Sequence, residues 1–300
     1  MHHWLLFQKY TSIKHLVYIH FQNFLSVYTN DQEVLLIKNG QVPLYQDTRA
    51  RKVLYTSSVS LQLSRGDSSK SGRFARDIST YLLANCSDIF RVKVVPPAWI
   101  HIELTDPTLA AWLNFLINEN VDFQRSELED KVARTKLIES QTKDLGLKKN
   151  DLYFQVQYAH ARCCSLLRLA SREDMIKIGQ KGTNNQKLLS SQTIPWLDCN
   201  QKLRLYQSEE LHLLKLLVKT VDNLVFPDSR SIVNWNTEAL KLSAAWESFW
   251  SKCRIWGEVK NNCWPLAQAR LGLLMVTQLV LKSVLEEKLG VSAPRELSEE

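Results

Sequence analysis

Phe154-Gln155-Val156-Gln157-Tyr158-Ala159-His160-Ala161-Arg162 is the stretch from which the fold of this chain is read. At 3.6 residues per turn, Phe154, Tyr158, Ala161 and Ser165 share one face of a helix. Gln155, Tyr158 and Arg162 stand at i, i+3 and i+7 and form an adjoining stripe. A ring, an amide and a guanidinium in one row suit an unpaired base. The ring stacks, and the polar groups reach the base edge. The competing structural reading makes Phe154 and Tyr158 core residues, Arg162 a surface ion-pair partner and His160 a solvated side chain.

Downstream of this stretch, helical periodicity dominates. Leu152–Ser171, Gln207–Leu224, Thr237–Ile255 and Leu266–Leu289 read as amphipathic helices with short connections, an all-α bundle. Residues 182–192, rich in Gly, Thr, Asn, Gln and Ser, read as a flexible loop. Upstream, residues 118–150 are polar and charged and read as a linker, with a helix around Ser126–Glu139.

Residues 1–117 mix patterns. Ser12–Val27 and Arg73–Leu83 are helical, and Phe90–Val95 and Trp99–Leu104 read as paired strands around Pro96-Pro97. Asn39-Gly40, between Val34–Ile37 and Val42–Tyr45, is a hairpin signal. Val53–Leu63 fits strand or helix. Asp106-Pro107 starts a helix over Thr108–Ile117. The expected fold is an α+β domain over 1–117, a charged linker over 118–150 and an all-α bundle over 151–300.

Composition bounds the function. The 300 residues are 45% hydrophobic and 23% charged, enough for two domains of ordinary globular character. A formal charge of +7 fits a polyanionic partner such as RNA. The six cysteines form no CxxC pair, so neither zinc nor a disulfide framework is expected, and the thiols read as small hydrophobes in a reducing compartment. The start of the chain lacks the apolar core of a signal peptide. The apolar run Leu271–Leu281 is 11 residues, where a bilayer asks for about 20, so no membrane partner is expected.

Three C-terminal segments carry a family resemblance. The Tyr158 helix closely resembles the VQYAHAR helix that opens the anticodon-binding domain of arginyl-tRNA synthetases, the DALR-type helical domain. Trp246-Glu247-Ser248-Phe249-Trp250-Ser251-Lys252-Cys253-Arg254 resembles that family's F-x-x-F-Y-x-x-C-R helix. Ala269-Arg270-Leu271, running on to Leu289-Gly290-Val291-Ser292-Ala293-Pro294, resembles its A-R-L helix and closing LGI-x-AP. In the first region, Val59–Leu63, Arg73–Leu83 and Val94–Leu104 follow the order of the family's N-terminal additional domain, whose last strand touches the D-loop at the tRNA elbow.

The resemblance implies tRNA as partner, by family that for arginine, and a cytoplasmic location. It implies anticodon contacts by Gln155, Tyr158, Arg162 and Leu297, and D-loop contacts by Trp99 and His101. Phosphate contacts are expected from Arg65, Lys70, Arg73, Arg76, Arg168 and Arg172. Gln155 stands where the family often has an aromatic, which weakens stacking there.

The family's catalytic domain has no counterpart between the two regions. About 35 residues separate Ile117 from Tyr153, too few for a nucleotide-binding α/β domain. His101-Ile102-Glu103-Leu104 begins like a HIGH motif but lacks its Gly and second His, and Lys187-Leu188-Leu189-Ser190-Ser191 only echoes KMSKS. No cofactor and no metal are expected. The expectation is a noncatalytic tRNA-binding protein. The alternatives are a scaffold module that binds a full-length synthetase or another protein, and the tRNA-binding part of a split ligase.

Overall fold

The computed structural model describes residues 3–28, 42–48, 50–64, 67–118, 149–179, 187–188, 193–228 and 232–296. Its contacts divide the chain into two compact units, Met1–Trp112 with Cys199–Leu203, and Leu113–Asp198 with Arg204–Glu300.

The first unit is α+β. Helices α1 (His3–Lys9) and α2 (Ile13–Tyr28) precede strands β1 (Leu44–Gln46) and β2 (Leu54–Ser57). Helices α3 (Val59–Leu63) and α4 (Ser68–Cys86) lead to β3 (Phe90–Val95) and β4 (Trp99–Leu104), and α5 (Asp106–Asn118) follows. The four strands form one antiparallel sheet in the order β1-β2-β4-β3. Ile100, Ile102 and Leu104 alternate with half-exposed Trp99, His101 and Glu103, so one face of β4 is core. Helices α3 and α4 pack on that face. His20 of α2 meets the Phe90 ring edge-on at 5.7 Å.

Local chemistry explains the element ends. The Asp67 carboxylate accepts the backbone N–H of Ser69 and Lys70, capping α4. Helix α5 begins two residues before the expected Thr108, because Thr105 Oγ1 receives the Thr108 N–H while donating to the Asp88 carbonyl. Val53–Leu63 resolves into both alternatives, strand β2 and then helix α3. Asn39-Gly40, Val34–Ile37 and the helix expected around 126–139 lie outside the described residues. Strand β1 pairs with β2.

The second unit is helical. Its helices are α6 (Lys149–Arg172), α7 (Ser208–Val225), α8 (Trp235–Lys252), α9 (Glu258–Asn262) and α10 (Trp264–Ser283). A π-helical turn, Val284–Leu289, continues α10 and ends at Gly290 with φ 67°, a left-handed conformation suited to glycine. Where a loop is expected, β5 (Ile178–Gly179) and β6 (Lys187–Leu188) form a short antiparallel pair.

Helix α10 packs on α6, α7 and α8. With its π turn it is long and apolar enough to cross a membrane, but its most apolar part is largely buried in the bundle. Its apolar surface therefore serves as core. Gly272 lets the Trp196 ring approach, since a Cβ there would come within 2.6 Å of the indole. The indole N–H donates to Asn114 Oδ1 at 2.8 Å.

Candidate nucleic-acid interface

Helix α6 buries Val156, Ala159, Cys163, Leu167 and Ala170 against the bundle. Its outer side carries Phe154, Gln155, Tyr158, Arg162, Leu169 and Arg172. Phe154 is 56% and Tyr158 43% exposed, which rules out the core reading of both rings. They stack on each other, centroids 6.4 Å apart and planes at 30°. Two adjacent exposed rings form a stacking platform, and such platforms accept bases of any sequence. One turn further, the Arg162 guanidinium lies over the Trp250 ring of α8, 5.8 Å from its centroid.

Trp250 is held in turn. It meets Trp256 edge-on at 5.9 Å, and the Trp256 N–H donates to Glu173, which also takes an ion pair from Lys260 at 2.7 Å. Arg162 is thus pre-oriented beside the platform and is not the simple ion-pair partner of the competing reading. Trp250 was not singled out from sequence. Its signal was the third aromatic of the Trp246–Arg254 stretch, but no periodicity argument could place it under an arginine of another helix.

His160 is 1% exposed, the reverse of a solvated side chain. Its Nδ1 lies 2.8 Å from the Pro294 carbonyl and its Nε2 lies 2.8 Å from the Gln278 amide nitrogen. A carbonyl only accepts, so Nδ1 carries the proton and Nε2 accepts from Gln278. Gln157 donates to the Ser292 carbonyl at 2.9 Å, and Arg168 reaches the Arg295 carbonyl at 3.5 Å. These bonds strap residues 292–295 along α6.

Burial pushes the His160 pKa below its ordinary value, and the charges of Lys282 and Arg295 push the same way against the Pro294 hydrogen bond. The fold therefore holds the neutral ring. Between the lowered folded value and the unfolded value of about 6.5, the unfolded chain binds more protons. The contribution is complete above that pH and is lost as pH falls through it. Urea midpoints at about pH 7.5 and 5.5 are expected to drop on acidification more in the parent protein than in His160→Gln; equal drops would sink this assignment.

Beside the strap lies a depression of about 360 Å³ lined by Arg162, Ser165, Leu166, Arg168, Leu169, Arg172 and Glu296. Arg168 pairs there with Glu296 at 3.0 Å. The structure thus brings Gln155, Tyr158, Arg162, Arg168 and Arg172 to one helix, while Leu297 lies outside the described residues.

The first unit carries the other expected contacts on two surfaces. Trp99 and His101 sit on the sheet face opposite the helices, where Tyr45, Thr56, His101 and Lys93 are register neighbours across the four strands. Lys70, Arg73 and Arg76 are exposed on α4, which covers the other face; Lys70 pairs with Asp67 at 3.6 Å and Arg73 with Asp77 at 3.8 Å. Arg65 lies outside the described residues.

All six cysteines are free; Cys199 and Cys263 are exposed and the rest are buried. Burial raises the Cys86, Cys164 and Cys253 thiols to about 11, which keeps them protonated and poor nucleophiles. Among the described residues no group of three or more His, Cys, Asp or Glu side chains is placed to hold a metal.

Residues 156–297 match the DALR anticodon binding domain family. Over those residues the helical unit is similar to DALR anticodon-binding domains. The chain is 32% identical over 157 residues to the arginine–tRNA ligase of Synechococcus sp. (strain JA-3-3Ab). It is 30% identical over 158 residues to that of Acetivibrio thermocellus and 30% over 163 residues to that of Ruminiclostridium cellulolyticum. Each match covers 51% of this chain, in its C-terminal half, and 24% of the ligase. The chain thus spans about a quarter of the length of these curated relatives. No solved structure matches it. Of the expected contact residues, Tyr158, Arg162, Arg168 and Arg172 fall inside the matched residues, Leu297 is the last of them, and Gln155, like its neighbour Phe154, immediately precedes them.

Proposed function

We propose that this protein is a noncatalytic tRNA-binding protein whose anticodon-binding domain takes the anticodon loop on the α6 stripe. The observation that carries the reading is the exposed, stacked Phe154–Tyr158 pair beside Arg162, itself held over Trp250. Stacking rings supply sequence-tolerant affinity, Gln155 and Arg162 supply edge contacts, and Arg168 and Arg172 face phosphate. In the first unit, Trp99 and His101 take the D-loop at the elbow, with Lys93 adjacent to His101 in register. Lys70, Arg73 and Arg76 add charge along α4.

The reading puts the protein in the cytoplasm, with arginine tRNA as the first tRNA to test. Binding without charging is supported by the short interval between the two regions, which leaves no room for a site that activates a carboxylate with ATP. Filter binding to bulk tRNA at low and high salt tests the proposal. Binding that weakens steeply with salt is expected, and no binding at low salt would end it.

A further inference from the structure

The three arginines that line the α6 depression, Arg162, Arg168 and Arg172, concentrate positive charge on one side of one helix. Arg168 and Arg172 stand at i and i+4, a spacing at which like charges repel. Glu296 is the acidic side chain in the lining, and its Oε1 lies 3.0 Å from Arg168 Nη2. The same Nη2 lies 3.4 Å from Ser165 Oγ, so a guanidinium and a hydroxyl converge on this spot. A guanidinium fork and a hydroxyl are also the donors that a phosphodiester oxygen would use.

The strap does not depend on that carboxylate. Gln157, His160 and Arg168 all grip residues 292–295 through backbone carbonyls, of Ser292, Pro294 and Arg295. Glu296 itself is 76% exposed in its side chain, so its ion pair is weak and easily displaced. Its charge offsets that of Arg168 without being needed to hold the segment down.

We propose that Glu296 acts as a built-in phosphate mimic, occupying an anion site of Arg168, Ser165 and Arg172 that an RNA phosphodiester takes over on binding. The inference rests on the tRNA-binding reading and adds a self-competitor to it. Free protein keeps the site closed by a weak internal anion. RNA must displace that anion, which lowers affinity for stray single phosphates and leaves the site to ligands that also stack on Phe154 and Tyr158.

The test compares the full chain with Glu296→Gln, titrating both with tRNA at about 50 and 200 mM salt. Removing the competitor is expected to tighten binding about threefold at the lower salt and to steepen the salt slope by about 0.7. The two proteins are expected to converge at the higher salt. In an Arg168→Ala background the Glu296→Gln gain is expected to disappear. Parent binding with no gain, or with a loss, in Glu296→Gln overturns the mimic alone, and a loss makes Glu296 a strap residue. Binding by neither protein overturns the tRNA reading along with it. Equal melting of the two proteins is expected, since the side chain is exposed.

Discussion

Arg270→Met is expected to remove about 3–5 kcal/mol of stability from the helical unit, because it strands a buried charge. Arg270 Nε lies 2.6 Å from Glu210 Oε1, with the two side chains 2% and 0% exposed. The other Glu210 oxygen accepts the Gln207 backbone N–H at 2.8 Å, closing the first turn of α7, and Arg270 also donates to the Arg254 carbonyl. The pair thus joins α7, α10 and the end of the α8 connection. Removing the guanidinium leaves a carboxylate with a single N–H partner in apolar surroundings. Urea denaturation followed by tryptophan fluorescence reads the loss. The double variant Glu210→Gln/Arg270→Met is expected to recover part of it, since replacing both charges is far cheaper than orphaning one. A single variant within about 1 kcal/mol of the parent would contradict the assignment.

Tyr158→Ala is expected to weaken tRNA binding by about 1–3 kcal/mol, roughly 5- to 150-fold, through loss of one stacking ring. Because Tyr158 is 43% exposed, folding stability should change by no more than about 0.5 kcal/mol. Tyr158→Phe keeps the ring and is expected to retain most of the affinity. Arg162→Lys is not a conservative control, because a lysine cannot lie flat over Trp250 as the guanidinium does. Equal affinity of the parent and Tyr158→Ala, with the fold intact, would remove α6 from the interface.

The structure of α6 shows which parts of these arguments were legible in advance. The period of 3.6 set Gln155, Tyr158 and Arg162 in one stripe, and all three are exposed. The same period could not say whether Phe154 and Tyr158 faced core or water, since aromatic residues serve both. His160 read as solvated and proved buried because its partners, Gln278 and Pro294, lie 118 and 134 residues away. Glu210 and Arg270 are 60 residues apart and carried no local signal of their pairing. In the first unit, alternation identified β3 and β4 and their hairpin, because cross-strand neighbours there are close in sequence. The pairing of β2 with β4 was not legible, since the long connection from Ser57 to Trp99 leaves no periodic mark.

By itself the sequence determined the α+β and all-α halves, a helix over Leu152–Ser171, the outward stripe on it and the likeness to an anticodon-binding domain. These follow from short-range periodicity and local motifs, which a chain carries without its fold. Only the tertiary structure decided that Arg162 lies over Trp250, that His160 ties Pro294 to α6, and that Glu296 pairs with Arg168. Each is a contact between distant segments, set by how helices pack and which polar groups must be satisfied once buried.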